Sequence, residues 1–485
     1  MKKQVLFGIA LVCSAFLTNL MAANPSVDPA TYAPRGTNGE LTLQSKWLYS
    51  NTLNNYNLAT DLLGAAGTVR GMAAKDGKMY FASRNSGNQI LVVNGTTGAK
   101  ETAINLASNV FTFQGRNRAN SADSTYLAGY PCNDIKIDGA GNVLVANMIT
   151  SNAGRYQIWK INLTTGAGTL VIDQANLATL FPAASTMRFD AFGVWGDVNG
   201  NGVIMGANAS VTAMEAYKWT ITNGVVGTPT LIELDPTPSY YLSATPLVPM
   251  ANLGSAPQIF PLDDNLFYID GNLTYPTLMD GNGNVIDGFY NNPNALKDLV
   301  TVPGTTLTMN QGHNGVTEFQ VGDNYFLLMA ATNTAGAPAS TFRLFKFADS
   351  SKAFSGLTCL WTFPQAGMGG ASNTYRTAMP SVEVSGNVAS IYVYTGDNGY
   401  GKYEMTVAQT GVSELQMSNV SISMNGNQIR FSEEVALAEV YTVTGQKISS
   451  AKNISTLNAP AANGVYIVTL VDKTGAKKIQ KVAVN

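Results

Sequence analysis

Arg70-Gly71-Met72-Ala73-Ala74, then Lys75-Asp76-Gly77, then Lys78-Met79-Tyr80-Phe81-Ala82 reads as two short strands joined by a tight turn. A third apolar run, Gln89-Ile90-Leu91-Val92-Val93, follows and is closed by Gly95-Thr96-Thr97-Gly98. The same order returns downstream. Asn133-Asp134-Ile135-Lys136-Ile137 passes through Asp138-Gly139-Ala140-Gly141 into Asn142-Val143-Leu144-Val145-Ala146, and Tyr156–Ile161 precedes Leu163-Thr164-Thr165-Gly166. A third unit runs Arg188–Val194, turn Asp197–Gly202, Val203–Ala207, Ala216–Thr220 and Pro229–Leu234. Short strands recurring with a period of about 40–50 residues are the mark of propeller blades.

Later units are less regular. Gln258–Leu262, Leu266–Asp270 and Tyr275–Met279 form one, and Gly315–Val321, Tyr325–Ala330, Thr341–Phe347 and Leu357–Phe363 the next. The last has Ser381–Val384, Ser390–Thr395 and Tyr403–Val407 and lacks an outer strand. Leu43-Gln44-Ser45-Lys46-Trp47-Leu48-Tyr49, near the other chain end, resembles the outer strand Thr358–Phe363 and can supply it. Such closure leaves the ring no open edge. The spacing predicts an all-β β-propeller of about six blades, with seven blades or an irregular double sandwich as alternatives. No WD, kelch or Asp-box signature is present, so period and strand order carry this reading.

Composition narrows the function. Only 12% of the 485 residues are charged, while 45% are hydrophobic, with 21 Tyr, 19 Phe and one His. Disordered chains lack that apolar mass, and helical bundles draw on Ala, Glu, Lys, Leu and Arg. A net charge of -2 gives no electrostatic reason to expect nucleic acid, and a single His excludes zinc sites built from several imidazoles.

Residues 1–23 read as a secretory signal peptide: Lys2 and Lys3, the apolar run Val5–Leu17, then small residues at Ala22-Ala23. Cys13 raises a lipoprotein alternative, but it sits inside the apolar run and follows Val12 rather than a small residue. No second long apolar stretch follows, so no transmembrane anchor is expected in the mature chain. Cys132 and Cys359 remain after cleavage and read as two separate buried thiols. The expected organisation is a lead at 24–40, a propeller body at 41–410 and a tail at 411–485.

In the tail, Asn419–Met424, Gln428–Phe431, Ala436–Tyr441, Gly464–Leu470 and Lys478–Val484 read as five strands of a small β-sandwich. Val440-Tyr441-Thr442-Val443-Thr444-Gly445-Gln446-Lys447, Asn463-Gly464-Val465-Tyr466-Ile467-Val468 and the terminal Lys478-Ile479-Gln480-Lys481-Val482-Ala483-Val484 resemble a type IX secretion sorting domain. Gly445, Gly464, Tyr466, Lys478 and Lys481 carry that resemblance. It covers about residues 412–485 and nothing upstream. It implies export through the type IX machinery to the medium or the outer-membrane surface of a Gram-negative bacterium. The body vaguely resembles uncharacterised secreted propeller families of such bacteria, which implies no activity. The tail carries net +2 and the body -6, consistent with two separate parts.

The start of each innermost strand lies at one mouth of a propeller's channel. Those positions are Arg70, Asn133 with Asp134, Arg188 with Asp190, Gln258, His313 with Asn314, and Arg376. Three of the ten Arg thus occupy equivalent blade starts. A guanidinium fork suits a carboxylate or phosphate, and Trp195, Tyr130 or Tyr375 offer stacking surfaces. The set Arg70, Asn133, Arg188, Asp190, His313 and Arg376 therefore suggests a glycan or small anionic ligand; pairing with neighbouring Asp at strand ends is the plainer explanation. Hydrolysis would call on Asp134, Asp190 or His313, but no Gly-x-Ser-x-Gly elbow is present. Asp197, Asn199 and Asn201, followed by Gly202, match half of a calcium loop, yet the twelfth position is Asn208 rather than Glu. No other cofactor is suggested. Asp280–Asn284 has similar spacing, and both stretches also read as Asx-rich hairpin turns. Asp123-Ser124-Thr125 resembles a short acceptor for O-glycosylation. A propeller binding module is the leading expectation; a carbohydrate-active hydrolase or lyase, and a structural surface protein without a ligand, are the alternatives.

Overall fold

The computed structural model describes residues 40–51, 62–63, 67–85, 87–116, 123–127, 130–150, 155–175, 180, 187–209, 214–235, 253–254, 256–271, 274–300, 315–331, 340–364, 367–369, 377–408 and 418–484. They divide into two compact units, one ending at Ala408 and one beginning at Gln409.

The first unit is a β-propeller. Blade I pairs Val69–Lys75, Lys78–Ser83, Gln89–Asn94 and Ile104–Asn105 in that order. Blade II is Asp134–Ile137, Val143–Ala146, Arg155–Ile161 and Gly168–Ala175. Blade III is Phe192–Gly196, Gly202–Ala207, Glu215–Thr222 and Thr230–Glu233, with Val225–Val226 beside its third strand. Blade IV is Gln258–Pro261, Leu266–Gly271, Thr274–Asp280 and Val285–Gly288. Blade V is Val316–Val321, Asn324–Ala331, Thr341–Lys346 and Thr358–Phe363. Blade VI holds Ala378–Ser385, Val388–Thr395 and Gly399–Val407, and Leu41–Ser50 is its outer strand, Leu41 opposite Val407 and Ser50 opposite Gly399. Each innermost strand packs on that of the next blade, and blade VI on blade I, so six blades close the ring.

Local chemistry explains the repeat. In blade I the Asn94 side chain accepts hydrogen bonds from the amides of Thr96 (2.9 Å) and Thr97 (3.1 Å). In blade II Asn162 accepts from Thr164 and Thr165 at the same distances. Such Asx turns let a polar side chain stand in for a missing strand partner. Apolar residues from facing sheets then fill the space between blades. Trp47 and Tyr49 of the closing strand, for example, are buried with Phe81, Tyr394 and Tyr400, with Tyr49 stacked on Tyr400 at 5.2 Å.

The interfaces alternate in kind. Added Cβ atoms on Gly71, Gly193 and Gly315 would stand 2.4 Å from Asp134 Oδ1, 2.3 Å from Ile259 O and 2.3 Å from Ala378 O, so blades I, III and V press closely on their successors. At the intervening interfaces a carboxylate crosses instead. Asp134 accepts from the Phe192 amide (3.0 Å), Asp270 from Gly315 (2.9 Å) and Asp397 from Gly67 (3.0 Å).

Several elements differ from the sequence expectation. Blade IV gains the strand Val285–Gly288, a hairpin of Thr112–Arg116 and Asp123–Leu127 stands between blades I and II, and a helix covers Pro293–Val300. The short turn expected at Leu177–Leu180 lies almost wholly outside the described residues. Cys132 and Cys359 are free and buried, and burial pushes the Cys132 thiol up to about 12.

The second unit is a small β-sandwich built on one long strand. Gln428–Thr442 pairs with Ile422–Asn425 through its first half, with Gly464–Val471 through its second, and with Lys447–Asn458 through both; Lys477–Val484 pairs with Gly464–Val471. Its register slips between Arg430 and Val435, which lets its two halves share one core of Ile422, Phe431, Val440, Val468 and Val482. Two expected strands are thus one, and Lys447–Asn458 is added.

Candidate functional site at one mouth of the propeller

The inner strands begin at a face that also receives the ends of the second strands and the starts of the third. The opposite face carries mostly short turns such as Asp76-Gly77 and Asp138–Asn142. Long connections over a rigid scaffold are where binding residues usually reside.

At this mouth Arg70, Asn133, Arg188 and Asp190 meet. Arg188 grips Asp190 with two parallel hydrogen bonds, Nε to Oδ2 and Nη2 to Oδ1, both 2.7 Å. Arg70, reaching from blade I, donates to the same Oδ1 at 3.1 Å and lies 3.3 Å from Met148 Sδ. The Asn133 amide donates to the Asp190 carbonyl at 2.7 Å. Asp190 thus ties three blades together. The pairing with Asp190 raises the Arg188 pKa.

Exposure separates the two arginines. The Arg70 side chain is 8% exposed, whereas that of Arg188 is 40% exposed. Arg188 is oriented by its bidentate grip, and its Nη1 makes no hydrogen bond among the described residues. Beside it stand two residues of one further group. Arg84, at the end of the second strand of blade I, donates to Asn133 Oδ1 (2.6 Å) and lies over the Tyr130 ring at 5.3 Å. Tyr130 is 48% exposed and left-handed (φ 49°), and its carbonyl accepts from the Met148 amide at 3.0 Å. Arg84 did not stand out in the sequence because it ends a strand rather than starting one; the scarcity of Arg was the available signal.

Asp134 is buried with both oxygens occupied, Oδ1 by the Ile135 amide and Lys136 (both 2.9 Å) and Oδ2 by the Phe192 amide. Burial raises its pKa. Asp190, also buried, spends both oxygens on guanidinium groups. Neither carboxylate offers an oxygen to a substrate in this arrangement. Gln258 lies at the start of blade IV, lining the channel. His313, Asn314, Tyr375 and Arg376 lie outside the described residues. Trp195 belongs near the opposite end of its strand, next to the Asp197–Asn201 turn, so it does not serve this mouth.

The half calcium loop is a turn at that far face. Asp197 Oδ1 accepts from the Asn199 amide (2.8 Å) and from Asn142 Nδ2 (3.1 Å), Asn201 Oδ1 accepts from the Asn223 amide (3.0 Å), and Asn199 Oδ1 takes the Lys160 ammonium. The oxygens face different donors rather than a common centre. Among the described residues no group of three or more His, Cys, Asp and Glu is placed to hold a metal ion. Asp280 repeats the Asx-turn arrangement, accepting from the Asn282 and Asn284 amides at 2.9 Å.

In the tail, Gly445 is left-handed (φ 87°) in its turn, and Tyr466 is buried with its hydroxyl donating to the Ala462 carbonyl at 2.8 Å. Lys478 donates to the Val420 carbonyl at 2.8 Å, whereas Gly464 and Lys481 are exposed on the last two strands. No described helix is long and apolar enough to cross a membrane.

A family described as "Domain of unknown function (DUF8500)" matches residues 127–246, which include Asn133, Asp134, Arg188 and Asp190. No curated protein matches the chain. Among solved structures, a DUF4623 family protein from Bacteroides eggerthii is similar at 14% identity and a TM-score of 0.50, with 78% of each chain covered. A gluconolactonase from Xanthomonas campestris matches at 13% identity and a TM-score of 0.38, covering 80% of this chain and 99% of its own. The β-propeller domain of Cps50 (Swd1) from Myceliophteria thermophila matches at 8% identity and a TM-score of 0.33, covering 87% and 97%. At these identities the similarity speaks to fold alone, and the fold is an all-β propeller.

Proposed function

We propose that the protein is an exported binding module whose propeller mouth takes a small anionic ligand, best matched by a sugar acid. One observation carries this reading: Arg188 is locked in orientation by Asp190, yet its outer guanidinium edge stays exposed beside the Arg84–Tyr130 pair. A pre-oriented fork recognises a carboxylate at little entropic cost, and an exposed ring offers a face for a pyranose. Arg70 is assigned a different part, that of a buried tie which holds Asp190. Since Asp134 and Asp190 are already occupied, binding is favoured over hydrolysis. Glycan-array profiles of the native protein and of Arg188→Ala and Arg84→Ala provide the test. Sugar-acid signals lost in both variants support the reading, and unchanged profiles overturn it.

Export forms the second half of the proposal. The tail's resemblance to a type IX sorting domain, together with the signal-peptide pattern of residues 1–23, supports secretion or display on the outer-membrane surface with the type IX machinery as partner. The compact tail unit with its own core fits a separable address. Deleting Gly464–Asn485 should leave the protein in the periplasm; normal surface display of that variant would refute the assignment.

A further inference from the structure

The central channel holds a cavity of about 320 Å³, bounded by the inner strands of blades I, II, IV, V and VI. That is the volume of roughly ten waters, and within the range of small-ligand sites. Each inner strand is the last in its sheet, so its second edge of N–H and C=O groups faces the channel unpaired by any strand. Gln258 lines the cavity and is 6% exposed, and its side-chain amide makes no hydrogen bond among the described residues. Its amide therefore opens onto the cavity, where an occupant can both donate to its oxygen and accept from its N–H. Lys136 lines the same cavity, its charge already balanced by Asp134 at 2.9 Å, with further N–H donors to spare.

We propose that this channel is a second ligand site, for an uncharged polyhydroxylated molecule of monosaccharide size or smaller, held by the Gln258 amide and the Lys136 ammonium. The charge balance decides against ions: Lys136 is paired with Asp134, and the other charged residues of the lining, Asp138 and Glu318, spend their oxygens on the Asn142 and Val198 amides and on Lys352 and the Tyr268 hydroxyl. An anion gains no net attraction from an ammonium already paired, and a cation meets that ammonium directly. A vicinal diol, by contrast, donates to the amide oxygen and accepts from the amide N–H side by side. Remaining hydroxyls can exchange hydrogen bonds with the strand edges, while Met72, Phe319 and Met379 give apolar walls for the ring carbons. The site uses none of Arg188, Arg84 and Tyr130, which carry the sugar-acid reading, so it stands or falls separately from that reading.

Methyl-13C-methionine labelling of the full chain tests it, because Met72 and Met379 report from the channel wall. The probes are D-glucose, D-galactose, D-mannose and glycerol at millimolar concentration. At least one should shift the Met72 and Met379 methyls saturably. Its affinity should fall about tenfold or more in Gln258→Leu, the equivalent of one lost hydrogen bond to a buried amide, and stay unchanged in Arg188→Ala. If the Leu variant does not fold, Gln258→Met replaces it. No shift at either methyl with any probe, which would leave a channel filled with water only, overturns the proposal. So does native affinity in the Gln258 variant, or loss of the shift in Arg188→Ala.

Discussion

Asp190 shows how one carboxylate can serve both fold and site. It is buried, it accepts from a buried guanidinium and a half-exposed one, and its own carbonyl accepts from Asn133. Removing it leaves the Arg70 charge in a low-dielectric setting without its carboxylate, a loss of about 3–5 kcal/mol. Asp190→Ala should therefore lower the urea midpoint strongly. Arg188→Ala, whose partner keeps Arg70, should cost about 0–1 kcal/mol. Equal midpoints for the two variants would contradict this division of labour. Asp270 adds a pH effect. It is fully buried, and burial holds its pKa well above the usual carboxylate range. The folded state therefore keeps this proton at pH values where the unfolded chain releases it. Its contribution is complete below the unfolded value of about 3.9 and is lost as pH rises toward the folded value. Asp270→Asn, which still offers an oxygen to the Gly315 amide, should gain stability relative to the native protein as pH rises from 4 toward neutrality. A parallel pH dependence of the two denaturation midpoints would count against it.

At the scale of elements, the bottom turns are the most exacting parts. Gly166 closes the blade II turn with φ 71°, and a Cβ there would stand 1.9 Å from the Asn105 carbonyl oxygen of blade I. Backbone cannot yield as a flexible side chain would, so Gly166→Ala combines a left-handed penalty with a clash. It should destabilise by about 2 kcal/mol or more, read from the shift in thermal or urea midpoint. Turns of this kind are also why the early blades were legible in the sequence: Asn94–Gly98 and Asn162–Gly166 spell the same hydrogen bonds in nearly the same letters. What escaped was weakly patterned. Lys447–Asn458 is mostly polar and lies largely exposed, so no alternating apolar set announces it. Val285–Gly288 has two apolar residues, of which Ile286 is half exposed. Pro293–Val300 is too short for a helical period to show. Of the candidate site, Arg70, Asn133, Arg188 and Asp190 stood out as residue types at blade starts, and the structure brings these four together. The sequence contained no sign that Arg70 crosses to Asp190, or that Arg84 joins from a strand end, because both depend on how blades are placed around the ring.

For the whole propeller, two kinds of seam alternate around the axis: close glycine approaches after blades I, III and V, and carboxylate-to-amide bridges after blades II, IV and VI. By these contacts the blades group as I–II, III–IV and V–VI. The bridges use side chains whose protons respond to burial, since the pKa values of Asp134, Asp270 and Asp397 are all raised. At the glycine seams the close approaches of Gly193 and Gly315 are to the backbone carbonyls of Ile259 and Ala378, whereas Gly71 faces Asp134 itself. Sensitivity to pH is therefore built into the bridged seams, all of them at the face where the candidate ligand site lies.

The closing strand has a consequence in time. Among the described residues Leu41–Ser50 pairs with Gly399–Val407 alone, so this early strand has nothing to pair with until nearly the whole body has emerged. At about 5–20 residues per second this wait is on the order of tens of seconds. Throughout it blade VI lacks its outer strand and the ring stays unclosed. The clasp that closes the finished ring is therefore among the last pairings that synthesis allows, so the chain's two distant ends must meet before the propeller is complete.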